Sequence, residues 1–210
     1  LLLDQEPTPD QIRGMLWLKQ VELHQQLEEG QARLARIEAW LQAFEQEATM
    51  PAYDVVIKSV VALRVAQARV VAPKMEQPEL GITLGRLFAE VMGSITQQGA
   101  SRVGPGITLY YDLEYREREI SVGACLAFEG SLFESEQVKV VELPAVEMMA
   151  SVIHHGSFST MHQAYNAILP WIEANGYHIR GPNRELNLEF ESGGDESTFV
   201  TEIQFPVEKQ

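Results

Sequence analysis

Cysteine is almost absent from these 210 residues: Cys125 stands alone. A single thiol excludes an internal disulfide framework and any metal site built from several cysteines, and it fits the reducing cytoplasm. Long apolar runs are missing too. None approaches the ~18 residues of a membrane span, so no membrane partner is expected. The opening stretch LLLDQEPTPD turns acidic after three leucines and carries no secretory pattern. Positive charge is scarce, with 16 Lys and Arg against 30 Asp and Glu and a formal net charge of −14. Such a chain repels a phosphate backbone and is a poor direct reader of nucleic acid. It suits a cationic ligand or a basic partner. The first residue is leucine rather than methionine, which reads as a fragment or a processed chain. No GxSxG, Walker-type or dinucleotide-binding pattern is present, and Gly104-Pro105-Gly106 reads as a turn before a strand, not a phosphate cradle. What is left is ordinary for a globular chain: 45% hydrophobic and 22% charged residues. That is enough to bury a core in one or two domains.

Thr8-Pro9-Asp10-Gln11 forms a helix start. Thr8 can cap, Pro9 loses nothing at the first helical position, and Gln11 can bond back to the cap. Leu16, Leu23, Ile37 and Phe44 then fall on one heptad series, with Gly30 in its gap. Leu27, Leu34 and Leu41 fall on a second series four residues on, with Gln20 in its opening place. This 4-3 spacing is a coiled-coil seam and predicts a helix from about 9 to 47. Packing along the same chain is the plainer use of such a stripe. Its narrowness favours one partner helix, and hence a homodimer through residues 1–48.

After Thr49-Met50-Pro51, β-rich runs alternate with two helical windows. The patterns predict strands at 54–60, 63–71, 106–112, 118–129, 137–143, 147–155, 178–190 and 198–207, with helices at 80–98 and 159–175. The order repeats. Leu63-Arg64-Val65-Ala66-Gln67 resembles Glu147-Met148-Met149-Ala150-Ser151, Gly104-Pro105 answers Gly181-Pro182, and Leu126-Ala127-Phe128-Glu129 answers Phe205-Pro206-Val207-Glu208. The offsets are 84, 77 and 79 residues. The expectation is an α+β domain over 51–210, built from a duplicated β-β-α-β-β unit at about 53–130 and 137–208. Joined edge to edge, the halves give one antiparallel sheet with both helices on one face. A central ligand groove is expected on the other face.

Several motifs in this region resemble GyrI-like (AraC-type effector-binding) domains. They are Thr49-Met50-Pro51-Ala52-Tyr53-Asp54-Val55, His154-His155-Gly156-Ser157-Phe158, Trp171-Ile172-Glu173-Ala174-Asn175-Gly176-Tyr177, Gly181-Pro182-Asn183-Arg184-Glu185 and Thr201-Glu202-Ile203-Gln204-Phe205-Pro206-Val207. The segment Pro9-Asp10-Gln11-Ile12-Arg13-Gly14-Met15-Leu16 and its long helix resemble the linker of MerR-family transcriptional regulators. The resemblance implies a multidrug-sensing activator whose winged-helix DNA reader lies outside this chain. Promoter DNA and RNA polymerase are then partners of the full-length protein only.

The family's central acidic residue falls on Glu185. Strand alternation puts Glu185, Asn187 and Glu189 on one face, expected to be the open one, and Leu186 and Leu188 on the other, under a helix. A partly buried carboxylate is costly unless paired, and a lipophilic cation would supply the pair. The plainer alternative is a solvated strand glutamate or a partner for Arg184. By the repeat, Thr108 matches Glu185 and Tyr110 matches Asn187, so Tyr110 would face the same groove and stack on an aromatic or cationic ligand. Asn187 stands where the family often has tyrosine, replacing an aromatic wall by an amide. Phe158 would line the cleft mouth, and one of Met148 and Met149, here assigned as Met149, would point into the groove. Tyr165 and Trp171 read as core residues of their helix. His154 and His155 point to opposite faces of a strand and cannot share a metal, so no metal and no cofactor are expected. Cys125 reads as a small buried hydrophobe. The rival to a sensor is a small-molecule hydrolase, with Glu185 as base and Tyr110 as its partner.

Overall fold

The computed structural model describes residues 13, 16, 17, 19, 20, 23, 24, 26, 27, 30 and 34, and then 53–74, 79–112 and 118–209. The chain divides into two compact units between Pro51 and Ala52. In the first unit every described residue is helical and exposed. Leu16, Leu23, Leu27 and Leu34 lie on the expected heptad stripe and are between 53% and 66% exposed. The helix start at Thr8–Gln11, the seam positions Ile37, Leu41 and Phe44, and the break at Thr49–Pro51 lie outside the described residues.

The second unit is α+β. Its elements run β1 (Val56–Val60), β2 (Leu63–Lys74), α1 (Glu79–Gln97), β3 (Ser101–Tyr110), β4 (Arg118–Glu129), β5 (Lys139–Leu143) and β6 (Val146–His155). A 3-10 turn (Phe158–Thr160), α2 (His162–Ala174), β7 (Tyr177–Ile179), β8 (Asn183–Glu189), a second 3-10 turn (Glu196–Thr198) and β9 (Val200–Lys209) follow. Two departures from the sequence reading interrupt strands. Gly104-Pro105 does not precede a strand but interrupts β3: the register shifts between Val103 and Gly106, and Gly104 is left-handed at φ +70°. Proline has no N–H for the ladder, so the strand bulges there and continues. The expected strand 178–190 splits at Gly181-Pro182 into β7 and β8, both of which pair with β9.

The strands form a curled antiparallel sheet in the order β1-β6-β9-β8-β3-β4-β2-β5, with β7 added on β9. The order is balanced about the β8–β3 seam. The first strand of the domain, β1, pairs with β6, and β5 pairs back with β2. At the seam Thr108 opposes Glu185, Gly106 opposes Asn187, and Tyr110 opposes Asn183. Directly opposed residues share a face. One lateral row therefore runs Ala124, Thr108, Glu185, Ile203 across four strands.

That row locates the helices. Ala124 belongs to the apolar cluster under α1, with Leu80, Leu87, Val91 and Ile95. Ile203 belongs to the cluster under α2, with Ala164, Ile168 and Ile172. Each fully buried Ile or Leu contributes roughly 1.5–3 kcal/mol through removal of its surface from water. Both helices thus cover the same face as Glu185. The opposite face carries a third apolar cluster with Val65, Ile107, Leu109, Cys125 and Leu186. Beside it lies a buried polar set of Ser151, Arg184, Glu202 and Gln204. Burial works against the Glu202 charge, but bonds from Lys58, Ser151 and Gln204 outweigh it and hold the carboxyl below its usual range.

Candidate functional site

A cavity of about 1060 Å³ opens between the two helices, with the β8–β3 seam as its floor. The groove was expected on the face away from the helices, and the in-register row places it on theirs instead. The helices cover the outer strands and leave the seam between them uncovered. Leu186 packs on the far face rather than under a helix. A register shift between Asn187 and Glu189 interrupts the alternation, so Leu188 joins the cavity wall and Glu189 does not.

Each helix contributes a stripe one residue away from its core stripe. On α1 the core residues Leu80, Leu87 and Val91 are followed at each step by cavity residues Gly81, Phe88 and Met92. On α2 the core residues Ala164 and Ile168 are likewise followed by Tyr165 and Leu169. One residue is about 100° of helical rotation, which turns a side chain from the sheet toward the opposite helix. The glycines shape this space. A side chain at Gly106 would press on the Phe88 ring at 3.1 Å, so the strand is bare where that ring lies over it. A Cβ at Gly85 meets nothing within 4 Å, and the helix there borders open space.

Glu185 sits at the base of the cavity, 6% exposed, with both carboxylate oxygens engaged. The Tyr165 hydroxyl donates to Oε1 at 2.6 Å, and the Tyr110 hydroxyl donates to Oε2 at 3.1 Å. Asn183 Nδ2 in turn donates to the Tyr165 oxygen at 3.0 Å. Burial pushes the Glu185 carboxyl above its usual range, and the bonds from Tyr165 and Tyr110 pull it only partway back. Burial, reinforced by the adjacent Glu185 charge, raises both phenols well above their ordinary value, so they remain donors. A carboxylate offers about four lone-pair sites. Two are filled here, which leaves acceptor capacity on a carboxylate that lines the cavity.

The other residues singled out from the sequence divide. Thr108 and Asn187 line the cavity beside Glu185. Phe158 lines it from the 3-10 turn and packs on Phe190 and Phe199, ring centres 5.8 and 5.5 Å away. Met149 does not take part: it is fully buried on the opposite sheet face, opposed to Pro206 and Lys58. Met148 packs into the cluster under α2 instead. Tyr165, read as core, does pack against the cluster under α2, and it also lines the cavity and makes the shorter of the two bonds to Glu185. Its hydroxyl was the available signal, since a phenol beside an apolar stripe needs a polar partner. Trp171 stacks on Tyr177 and stays in the core cluster. His154 is buried, takes Tyr53 Oη at Nδ1 (2.8 Å) and faces Thr160 Oγ1 and the Ser157 carbonyl at Nε2. His155 is exposed. Cys125 is buried, and burial raises its thiol to about 11. Among the described residues no cluster of His, Cys, Asp and Glu could hold a metal, and no helix is long and apolar enough to cross a membrane.

A single carboxylate under two phenols, at the floor of an apolar and aromatic cavity, marks a small-molecule binding domain. Residues 53–208 match the GyrI-like small molecule binding domain, and the chain belongs to that family. It resembles the structure of an EcmrR–DNA complex in EcmrR-RPo at 25% identity and TM-score 0.68, over 94% of this chain and 72% of that one. It also resembles the EcmrR C-terminal domain at 27% identity and TM-score 0.67, over 76% of this chain and all of the other. A hydrolase encoded by lin2189 from Listeria innocua shares the fold at 11% identity and TM-score 0.51, over 80% of this chain and 98% of that one. No curated protein sequence matches the chain.

Proposed function

We propose that this chain is the effector-binding and dimerising part of a MerR-type transcriptional activator, which senses a cationic, partly aromatic small molecule. The observation that carries the reading is Glu185, a buried carboxylate at the end of a cavity large enough for a drug-sized ligand. Nothing among the described residues neutralises it: it is held by phenols rather than by a cation. An entering cation supplies the missing charge in a medium where the attraction exceeds its value in water. Phe88, Phe158, Phe190, Tyr110 and Tyr165 provide aromatic surface for the rest of the molecule.

The remaining parts of the proposal follow from the first unit and from the relatives. The exposed stripe of Leu16, Leu23, Leu27 and Leu34 supports pairing of two chains through the long helix. The likeness to EcmrR in its DNA complex supports a separate DNA-binding domain and a cytoplasmic, promoter-bound protein. The balanced strand order supports duplication of one β-β-α-β-β unit. Ligand binding would then favour one arrangement of the domains over another, which requires the ligand to distinguish the two.

Calorimetric titration of 4-phenylbutylammonium into the 210-residue chain and its Glu185→Gln variant tests the reading. Binding to the native chain that weakens at least tenfold in the variant supports it; equal affinity removes Glu185 from the role. A hydrolase, with Glu185 as base and Tyr110 as partner, is the second reading, and the Tyr110–Glu185 bond favours it. Turnover of an ester that disappears in Glu185→Gln would put that reading first.

A further inference from the structure

The floor of the cavity holds more acceptors than a purely lipophilic cation needs. Thr108 is 3% exposed, opposes Glu185 across the β3–β8 seam and lines the cavity. Its hydroxyl has no hydrogen-bond partner among the described residues. Asn187 lies two residues beyond Glu185, on the same face, opposite the bare backbone of Gly106. Its amide is likewise unpartnered among the described residues. Adjacent opposed residues on a sheet stand about 4.5–5.5 Å apart, and residues two apart on a strand roughly 7 Å, so the three groups surround one small volume. Thr108 is buried and Asn187 half-buried, so a ligand that covers both groups without offering donors strips their remaining access to water, at a cost that a matching donor avoids.

From this placement we infer that Asn187 and Thr108 are specificity determinants, and that the effector bears a cation with N–H donors, a protonated amine or amidine, rather than a quaternary centre. The inference rests on reading the cavity as a cation site and names the kind of cation. An ammonium group has three donors and no acceptor. Glu185 keeps free lone pairs beyond its two phenols, Thr108 offers a hydroxyl oxygen, and Asn187 can turn its amide oxygen inward. Three donors thus meet three acceptors around one centre. A trimethylammonium carries the same charge and satisfies Glu185 electrostatically, but leaves Thr108 and Asn187 buried against methyl groups. A tyrosine in place of Asn187 would remove one acceptor and replace it with a ring face, which suits the quaternary ion.

Dehydration of the two cations sets the baseline for a test. A primary ammonium is more strongly hydrated than its trimethyl counterpart, so a site without free acceptors binds the quaternary ion more tightly. The matched probes are 4-phenylbutylammonium and 4-phenylbutyltrimethylammonium, titrated calorimetrically into the 210-residue chain. The native protein should prefer the primary ammonium at least tenfold. Asn187→Leu and Thr108→Val should each bring the ratio to unity or invert it while the quaternary probe still binds. Asn187→Asp, which keeps the shape and adds a charged acceptor, should widen the ratio and guards against a Leu or Val variant that fails to fold. Equal affinity of the two probes in the native chain overturns the inference and leaves the cation site standing. So does a ratio unchanged in the variants. Failure of both probes to bind overturns the cation site itself and the inference with it.

Discussion

Removing one oxygen from Tyr165 isolates the bond that offsets the burial of the Glu185 carboxylate. In Tyr165→Phe the ring keeps its edge-on contact with Phe205, 5.9 Å between centres, so packing under α2 is conserved. The 2.6 Å bond to Glu185 Oε1 and the acceptor for Asn183 are lost together. A hydrogen bond to a charged group is worth about 1.5–3 kcal/mol. The variant should therefore lose about that much stability at pH 7, measured by urea unfolding. The pH dependence follows from the sign of the shift. The native carboxyl lies above its unfolded value because of burial, so the ionised group costs stability as pH rises through the folded value. The Tyr165 bond offsets part of that cost and acts mainly on the ionised form. The deficit of the variant should shrink as pH falls into the carboxylate range, where Glu185 holds its proton in both proteins. Cation affinity should rise with pH in each, with the rise displaced to higher pH in the variant. Tyr110→Phe, losing the longer bond, should do the same to a smaller degree. A deficit below about 0.5 kcal/mol at pH 7 that does not change with pH would refute the picture of phenols holding a charge against burial.

Two further outcomes test the cavity and its supports. Gly85 borders open space on α1, so Gly85→Ala should stabilise the chain by about 0.8–1 kcal/mol through helix propensity. Gly85→Phe should project into the same space and abolish binding of 4-phenylbutylammonium with little change in unfolding midpoint. His154 is kept neutral, its ring lowered from 6.5 chiefly by burial, so the folded state resists the proton that the unfolded chain accepts. Stability should therefore decline as pH falls below about 6.5, by at most about 1.4 kcal/mol per pH unit, and His154→Gln should flatten that slope.

Particular residues explain how far the sequence could be read. Strand alternation put Glu185 and Asn187 on one face, because a period of two survives any curling of the sheet, and the repeat matched Thr108 to Glu185, which it opposes across the seam. It failed at Leu188, where a bulge resets the alternation without any mark in the side chains. The face of the groove was misjudged for a different reason. A helix that covers a sheet face was assumed to cover all of it, whereas α1 and α2 lie over the outer strands and leave the seam between them. The packing of Tyr165 under α2 was legible, but its place on the cavity wall was not, since one step around a helix separates a core position from that wall. Met149 and Met148 occupy like positions on either face of β6, and nothing in their chemistry says which way each turns. His154 was legible as turned away from His155, but not as a bridge from Tyr53 to the turn before α2, because those partners are 101 and 6 residues away in sequence.

The crossed pairing of the end strands has its own outcome. β1 is stitched to β6 and β5 to β2, so each half of the domain holds the margin of its counterpart. Two peptides parted at the loop after Gly130 would each arrive with a foreign hem and an unhemmed border. Neither has a complete sheet to fold into, and mixing them restores both at once, like the two leaves of a clasp.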